Sequence, residues 1–187
     1  IQSASRKIES VIRRVMDFAK PGEPKLILLD MNRPVTEAID LSAVTLRKSG
    51  IAIEKVLSEN LPHCNADPTL IEEMVMNLLN NAAGAMKTME AGKKIVITSS
   101  VEGDGIIIAV SDSGPGIAPE IQDKIFDPYF TTKSDGTGIG LSISHRIVTD
   151  HGGSLTVSDS DLGGAEFRIE IPIKKQERSD DIFNLHC

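Results

Sequence analysis

Aromatic residues, cysteines and long apolar runs are all scarce in this sequence. Its 187 residues include no Trp, one Tyr and five Phe. The two cysteines, Cys64 and Cys187, lie far apart without a Cys-x-x-Cys spacing, which excludes a disulfide scaffold and a standard zinc site. The longest apolar stretches, such as residues 106–110, fall far short of the roughly 18 residues that a membrane-spanning helix needs. These absences indicate a domain of cytosolic character.

Basic residues are also too few to form a polyanion-binding surface. The chain has 20 Lys and Arg against 27 Asp and Glu, a net charge of −7, and no stretch is dense in basic residues. A nucleic-acid or anionic-membrane surface therefore has little electrostatic support, and we expect no nucleic-acid partner. The apolar fraction of 40% and the length are those of one soluble globular domain with a real core.

The first 20 residues have the pattern of a helix that pairs with another helix. Apolar or small residues alternate spacings of three and four, at Ile1, Ala4, Ile8, Val11, Val15 and Phe18. This is the seam of bundles and coiled coils, and one helix cannot bury it alone. The break at Lys20-Pro21-Gly22 is typical of a boundary. We expect residues 1–20 to belong to a helical element whose remainder, or second copy, lies outside this chain.

After the break, helical and strand patterns mix. We predict strands at 25–30, 51–57, 94–101, 105–111, 154–158 and 165–173 and helices at 32–48, 68–89 and 139–150. This order favours an α+β fold, a two-layer α/β sandwich in which helices cover one face of a mixed sheet. We expect residues 23–175 to form this domain, preceded by the N-terminal helix, and residues 176–187 to form a flexible tail.

Two asparagines interrupt the apolar stripe of the helix predicted at 68–89. Asn77 and Asn81 stand at i and i+4 and share a face, whereas Asn80 lies on the polar side. Buried amides need partners, and one interpretation is that both bond to neighbouring backbone. The other is that their oxygens meet a hard cation such as Mg²⁺, which prefers oxygen ligands.

Two glycine-rich segments are candidates for ligand contact. Asp112-Ser113-Gly114-Pro115-Gly116 follows a strand, so a flat ligand could approach the backbone while the carboxylate accepts a hydrogen bond from an amino group. An ordinary glycine turn is the alternative. The segment at 136–142, Gly-Thr-Gly-Ile-Gly-Leu-Ser, opens a helix whose free N–H groups form an anion site. It has neither the dinucleotide-fold spacing nor that of a P-loop.

Between the glycine segments lies a cluster of aromatic residues. Phe126, Tyr129 and Phe130 are three of the six aromatics of the chain and fall within five residues. They could form a small satellite core under the loop. A hinged lid that closes over a ligand, with the following Thr131, Thr132 and Lys133 near phosphate, explains the clustering better.

The order of these segments resembles that of bacterial sensor histidine kinases. Residues 77–82, 112–117, 126–130 and 136–141 are similar to the asparagine box, first glycine box, phenylalanine box and second glycine box of that family. The resemblance covers about residues 23–173. It implies the α/β sandwich that the family shares with gyrase B and MutL, in which ATP lies between the helices under a mobile lid.

The resemblance also implies roles for individual residues. Asp112 would bind the adenine amino group, Asn81 would coordinate the Mg²⁺ that bridges the phosphates, and Asn77 would lie alongside them. Asn77 and Asn81 are thus the implied catalytic residues. The full implied nucleotide-binding set is Asn77, Asn81, Asp112, Gly114, Gly116, Ile117, Tyr129, Phe130, Thr131, Thr132, Lys133, Gly136, Thr137, Gly138, Ile139, Gly140 and Leu141.

The function implied is transfer of the γ-phosphoryl group of MgATP to a histidine, for relay to an aspartate of a response regulator receiver domain. In the family the acceptor histidine is usually followed by an acidic residue. None of His63, His145, His151 and His186 is followed by an acidic residue, so we expect each of them to be a surface or loop residue. The acceptor would lie on a dimerisation domain absent from this chain, and this chain alone would not phosphorylate itself.

Residues 1–22 would then be the C-terminal end of the second dimerisation helix. The full-length protein would be a homodimer, and the fragment a monomer or a weak dimer through residues 1–20. We expect the domain in the cytoplasm, whether or not the full-length protein has an inner-membrane anchor.

Two positions depart from the family pattern. Gly84 stands where many kinases have Lys or Arg, so Lys133 or another cation would supply that charge, and Ala165 stands where Thr or Ser is common. Two alternatives stay open. One is a gyrase- or MutL-like ATPase, although Asn77 occupies the position of its catalytic Glu and an amide cannot act as a general base. The other is a nucleotide-binding scaffold without kinase activity.

Overall fold

The computed structural model describes residues 23–133 and 136–173, in which a five-stranded sheet is covered by helices. The predicted dimerisation segment at 1–22 and the predicted tail at 176–187 lie outside the described residues. In chain order the elements are β1 (Ile27–Leu29), α1 (Asn32–Lys48), β2 (Ala52–Leu57), β3 (Cys64–Ala66), α2 (Pro68–Ala85), β4 (Lys94–Glu102), β5 (Gly105–Asp112), a short 3₁₀ helix (Pro119–Ile121), α3 (Gly140–Asp150), β6 (Ser154–Asp159) and β7 (Ala165–Pro172). No helix within these described ranges is long and apolar enough to cross a bilayer.

The large sheet has the strand order β2-β4-β5-β7-β6, with β2 parallel to β4 and the other pairs antiparallel. Helix α2 lies against β5, α3 against β6 and β7, and α1 against β2 and α2. The predicted fold class, a mixed sheet with helices on one face, is confirmed. A separate pair, β1 with β3, is antiparallel.

The alternation of side chains along β5 determines which residues face the core and on which face of the sheet Asp112 lies. Side chains two residues apart share a face of a strand. The core-facing row pairs Ile106 with Ile171, Ile108 with Ile169 and Val110 with Phe167, and all six side chains are at most 1% exposed. Asp112 is the next residue in this row and ends the strand. The carboxylate therefore lies on the face of the sheet that the helices cover.

Helix α2 begins where the sequence predicts and ends earlier. Asp67 Oδ1 accepts hydrogen bonds from the N–H groups of Thr69 and Leu70, and Pro68 occupies the first helical turn. The helix ends at Ala85, not Met89 as predicted, because the backbone that follows bonds three residues back, from the Lys87 N–H to the Gly84 carbonyl oxygen and from the Met89 N–H to the Met86 carbonyl oxygen. Met86 and Met89 still pack against the core from this turn.

The short strand β3 was not predicted, and β1 is shorter than predicted. Each has three residues, and they pair with Ile27 opposite Ala66 and Leu29 opposite Cys64. Neither is long enough to show a period in the sequence.

The cysteine of β3, Cys64, is buried. Burial, with a smaller contribution from the charge of Asp30, raises the pKa of the Cys64 thiol to about 11. The thiol is therefore protonated and unreactive at neutral pH.

The histidines in the described residues are surface or loop residues, as predicted, although one loop histidine is buried. His63 and His145 are exposed as expected, and His186 lies outside the described residues. His151, however, is buried. Its Nε2 accepts from the Asp67 N–H at 3.0 Å, and its Nδ1 lies 2.7 Å from the Ile147 carbonyl oxygen. A neutral ring with its proton on Nδ1 satisfies both contacts and ties the end of α3 to the start of α2.

Candidate functional site

A cleft of about 700 Å³ opens between α2, the loop after β5, the aromatic segment and the start of α3. Its lining residues are Asn77, Asn80, Asn81, Gly84, Ala85, Pro115, Gly116, Ile117, Ala118, Ile121, Ile125, Phe130, Thr131, Thr132, Lys133, Gly136, Thr137, Gly138, Gly140 and Leu141. The four segments singled out in the sequence therefore meet at one place. Residues 134 and 135 lie outside the described part of this loop.

Most of the predicted binding residues line this cleft. Four do not: Asp112, Gly114, Tyr129 and Ile139. Asp112 and Ile139 are buried, whereas the Tyr129 side chain is 62% exposed and contributes no wall. The lining residues that the prediction missed include the apolar Ala118, Ile121 and Ile125. Their spacing of three and four residues within a loop rich in glycine and proline was the signal that could have revealed them.

Asp112 lies just behind the cleft wall and is held by backbone groups. Its Oδ1 accepts from the N–H of Gly114 at 2.7 Å and from the N–H of Ala165 at 3.3 Å. Its carbonyl oxygen accepts from the Gly164 N–H at 3.2 Å. Both hydrogen bonds to the carboxylate go to Oδ1, so Oδ2 keeps its acceptor capacity. Ala165, the departure from the family pattern, contributes here through its backbone.

The environment of Asp112 disfavours its charge. Burial raises the pKa of the Asp112 carboxyl, and the backbone N–H groups of Gly114 and Ala165 and the charge of Lys133 oppose that shift. The side chain is only 2% exposed. A carboxylate in such surroundings is stabilised further by any ligand that donates a hydrogen bond to it.

Glycines allow the close packing around Asp112. A Cβ at Gly164 would collide with Asp112 Oδ1, with the Asp112 carbonyl oxygen and with the Gly114 nitrogen. A Cβ at Gly114 would lie 2.7 Å from Asp112 Oδ1 and 3.4 Å from Ala85 Cβ. Any side chain at these positions would displace the carboxylate or the wall in front of it.

The opposite end of the cleft is formed by amides of α2. Asn81 Oδ1 and the Asn81 carbonyl oxygen both accept from Lys133 Nζ, at 3.0 and 3.1 Å. One turn earlier, Asn77 Nδ2 is buried and has no hydrogen-bond partner among the described residues. An unpaired buried donor is costly and rare, so it marks a position where a ligand could complete the bonding.

The loop between the 3₁₀ helix and α3 forms the outer wall. Tyr129 has a φ of +70°, and its N–H donates to the Gly138 carbonyl oxygen at 2.9 Å. Gly138 itself has a φ of +66°, and a Cβ there would lie 2.6 Å from the Tyr129 carbonyl oxygen. Phe126 and Phe130 pack against the main core, and the Phe126 ring centroid is 5.3 Å from that of His145 on α3. The aromatics therefore do not form a separate satellite core.

Helix α3 presents its N-terminus to the cleft. The helix begins at Gly140, has no side-chain cap, and Gly140 and Leu141 line the cleft. The first N–H groups of a helix have no partner inside it and, with the helix dipole, favour an anion.

The oxygens at the Asn81 end of the cleft are ligands of the kind that a divalent cation takes. No group of three or more His, Cys, Asp or Glu side chains suited to a metal occurs within residues 23–133 and 136–173. Asn81, however, already directs two oxygens at an ammonium group. Mg²⁺ takes oxygen ligands and keeps most of its other ligands as water or substrate phosphate, so a single amide oxygen suits it.

Comparison with known proteins agrees with this geometry. The model of the family "Histidine kinase-, DNA gyrase B-, and HSP90-like ATPase" matches residues 66–175. The nucleotide-free catalytic domain of histidine kinase ThkA is 33% identical, with a TM-score of 0.71, over 80% of this chain and 96% of that one. The chain belongs to the histidine kinase family. It therefore contains the catalytic ATP-binding domain of that family.

Other proteins that this chain matches are much longer than the kinase domain. The C4-dicarboxylate transport sensor protein DctS of Rhodobacter capsulatus is 34% identical over 92% of this chain, which spans 26% of DctS. Full-length ShkA, solved with AMPPNP, is 27% identical over 91% of this chain and 36% of its own, with a TM-score of 0.78. ThkA has also been solved in complex with the response regulator protein TrrA, at 28% identity and a TM-score of 0.78, over 95% of this chain and 50% of that one.

Proposed function

We propose that this kinase domain binds MgATP in the cleft and transfers the γ-phosphoryl group to a histidine of a dimerisation domain in the same protein. The phosphoryl group then passes to an aspartate of a response regulator. The observation that carries the proposal is the arrangement of the cleft. The buried carboxylate of Asp112, which accepts from two backbone N–H groups, lies behind one end of the cleft. At the other end, the side-chain oxygen of Asn81 accepts from the ammonium of Lys133.

The adenine base binds at the Asp112 end. Asp112 Oδ2 accepts a hydrogen bond from the adenine amino group, while Oδ1 stays on its two backbone donors. Gly116 and Ile117, which line the cleft beside it, form the surface on which the base lies. The complex of full-length ShkA with AMPPNP supports a nucleotide as the ligand of this domain.

The phosphates bind between Asn77, Asn81, the lid and the start of α3. Bound to Asn81, Mg²⁺ would neutralise charge on the phosphate oxygens, which is its usual contribution to phosphoryl transfer. The backbone N–H groups at Gly140 and Leu141 contribute donors from the helix N-terminus. Asn77 Nδ2, unpaired among the described residues, donates to a phosphate oxygen. Thr131 and Thr132 close over the phosphates with the lid.

Catalysis by this domain is positioning and charge neutralisation. An imidazole nitrogen of the acceptor attacks the γ-phosphorus, the bond to the bridging oxygen breaks, and ADP leaves with that electron pair. No described residue that lines the cleft has a carboxylate able to activate water, since its polar side chains are amides, hydroxyls and one amine. This favours transfer to histidine over hydrolysis. The complex of ThkA with TrrA supports a response regulator as the next acceptor.

Transfer in trans tests the proposal. The chain is mixed with γ-labelled ATP, Mg²⁺ and a separate dimerisation domain that carries the acceptor histidine. We expect acid-labile label on the second polypeptide. Nucleotide binding without transfer would contradict kinase activity, and rapid hydrolysis without transfer would favour a gyrase- or MutL-like ATPase instead.

Asn81→Ala isolates the metal-dependent part of nucleotide binding. Loss of the amide oxygen should weaken binding of AMPPNP in the presence of Mg²⁺ by at least about tenfold. Binding without Mg²⁺ should change little. Titration calorimetry with and without Mg²⁺ measures both, and Asn60→Ala, on an exposed turn, is the matched control. An equal loss in both conditions would argue against Asn81 as the metal ligand.

A further inference from the structure

Ser113 lies between two residues that form the Asp112 end of the site, but it does not line the cleft. Asp112 precedes it, and Gly114, whose N–H donates to Asp112 Oδ1 at 2.7 Å, follows it. The half-buried Ser113 side chain is bonded instead to the segment that enters β4. Its contacts therefore act on the position of Asp112 and not on a ligand directly.

The hydroxyl of Ser113 both accepts and donates a hydrogen bond. Its Oγ accepts from the Lys94 N–H at 2.8 Å, and it donates to the Gly92 carbonyl oxygen, also at 2.8 Å. Met86 Sδ, on the residue that follows α2, lies 3.3 Å from the same Oγ. Because a hydroxyl has one proton and a thioether is a weak acceptor, the proton lies on the Gly92 bond. The hydroxyl thus joins the turn after β5 to the segment between α2 and β4.

This hydroxyl takes the place of a backbone carbonyl at the end of the sheet. The pairing of β4 with β5 ends at Ile95 opposite Asp112, and Lys94 and Ser113 are the next two residues in register. Residues in such a pair exchange two backbone hydrogen bonds. Here the Ser113 N–H donates to the Lys94 carbonyl oxygen at 3.1 Å, but the Lys94 N–H donates to Ser113 Oγ. The chain can therefore turn directly after Asp112 without leaving the Lys94 N–H unpaired.

The turn that follows is held from both sides. On one side, Gly114 packs against the end of α2, where an added Cβ would lie 3.4 Å from Ala85 Cβ. On the other side, Ser113 holds the turn to β4. The Gly114 N–H is thereby fixed, and together with the Ala165 N–H it holds Asp112 Oδ1. Because Oδ2 is attached to the same carbon, these contacts also set the direction of Oδ2.

We propose that Ser113 is a positioning residue for base recognition: its hydroxyl fixes the turn that carries the Gly114 N–H and thereby directs Asp112 Oδ2 at the adenine amino group. Without the hydroxyl, the Lys94 N–H and the Gly92 carbonyl lose their partner. The turn then leaves β4, and the carboxylate moves with it. This inference rests on the proposed function and adds a residue that determines base specificity without touching the base.

The affinities for two bases test this role. Titration calorimetry with Mg²⁺ on the 187-residue chain compares ADP with inosine diphosphate (IDP), whose base has a carbonyl oxygen in place of the adenine amino group. We expect the wild type to bind ADP more tightly than IDP. Ser113→Ala should weaken ADP binding about three- to tenfold and IDP binding much less, so that the ratio of the two affinities falls. Ser113→Thr keeps the hydroxyl and should keep most of the wild-type ratio.

Ser99→Ala is the matched control for a loss of stability alone. The Ser99 hydroxyl also accepts and donates, from the Ser58 N–H at 2.9 Å and to Asn32 Oδ1 at 2.8 Å. It lies on β4, outside the cleft wall. Both alanine variants should lower the urea midpoint of unfolding, but only Ser113→Ala should lower the ratio of ADP to IDP affinity. An unchanged ratio in Ser113→Ala, or an equal fall in Ser99→Ala, would overturn the proposal.

Amide hydrogen exchange measures the turn without nucleotide. In Ser113→Ala, the Gly114 N–H should exchange at least about tenfold faster relative to the Val110 N–H within β5, and Ser99→Ala should leave this relative rate unchanged. Wild-type protection of Gly114 in Ser113→Ala would overturn the proposal. If the wild type does not prefer ADP to IDP, the adenine site of the proposed function fails. A preference that Ser113→Ala retains refutes only the role of Ser113.

Discussion

At the Asp112 end of the cleft, the carboxylate is held by the backbone N–H groups of the turn after β5 and of the start of β7. At the Lys133 end, a loop side chain is held by a side chain and a backbone carbonyl of a helix. Asp112 is 2% exposed and bonded to Gly114 and Ala165. Lys133 remains exposed and bonded to Asn81. The Ala165 donor cannot move without disturbing its strand pairing, but a lysine on a loop can change partners at little cost.

This difference assigns separate tasks to the two ends. The Asp112 end recognises a fixed shape, because its acceptor and its glycines are set by the fold. The Lys133 end is held by contacts of a loop, which can rearrange without disturbing the sheet. Removal of the Asp112 acceptor should therefore change affinity strongly, added volume at the Asp112 end should reduce stability, and substitutions in the loop should change stability less.

Asp112→Asn should have the largest effect on nucleotide affinity. An Asn Oδ1 can keep both backbone hydrogen bonds, but its Nδ2 would present a donor to the donating amino group of adenine. We expect AMPPNP binding to weaken by at least about a hundredfold, measured by calorimetry. The fold should persist, because no partner is lost and no volume is added. Unchanged affinity would refute Asp112 as the adenine acceptor.

The same variant should be as stable as the wild type or more stable at neutral pH. Burial raises the pKa of Asp112 in the folded protein, so the folded state binds this proton more tightly than the unfolded state does. The charged carboxylate therefore destabilises the fold above its folded-state pKa, and this cost disappears as the pH falls below the unfolded value. Urea unfolding at several pH values should show the two proteins converge in acid. A difference that grows as the pH falls would contradict this environment for Asp112.

Gly164→Ala should reduce stability and affinity together. The Cβ would collide with Asp112 Oδ1, with the Asp112 carbonyl oxygen and with the Gly114 nitrogen. Overpacking of this kind costs about 1–3 kcal/mol. Gly163→Ala is the matched control, because its φ of +96° strains an alanine although nothing lies within 4 Å of the added Cβ. Chemical denaturation of both variants measures the difference. Equal losses would mean that collision with Asp112 costs no more than an alanine at the strained φ of its neighbour.

Gly138→Ala should have the smallest effect on global stability. Its φ of +66° and the nearby Tyr129 carbonyl oxygen both oppose a side chain, whereas Gly164 is opposed by collision alone. The loop can shift, however, so we expect the free energy of unfolding to change by less than about 1 kcal/mol. Loss of the bond between the Tyr129 N–H and Gly138 should appear as a change in Tyr129 fluorescence. A stability loss as large as that of Gly164→Ala would remove the contrast between the two ends.

Much of this architecture was predictable because its signals are local. Asp67 and Pro68 specify the start of α2 within one turn, and the spacing of Asn77 and Asn81 places both on one face. The alternation along β5 brings Asp112 to the helix-covered side. Each of these patterns depends on the geometry of a single helix or strand, which the neighbouring residues determine.

Other features depend on contacts between distant segments. The strand β3 exists because it pairs with β1. His151 is a loop residue, as expected, but it is buried, and its two nitrogens find partners at the N-cap of α2 and in α3. None of these partners is visible in the local pattern.

The scarce aromatic and basic residues also show which features the local sequence determines and which depend on contacts between distant segments. The sequence alone determined that the aromatics cluster at 126–130 and that the triphosphate would not meet a basic patch. Only the tertiary structure decided that Lys133 lies on Asn81, 52 residues away, in the space left by Gly84. Helix and strand periods arise from backbone geometry within a few residues. The meeting of a loop lysine with a helix glycine depends on how the layers pack.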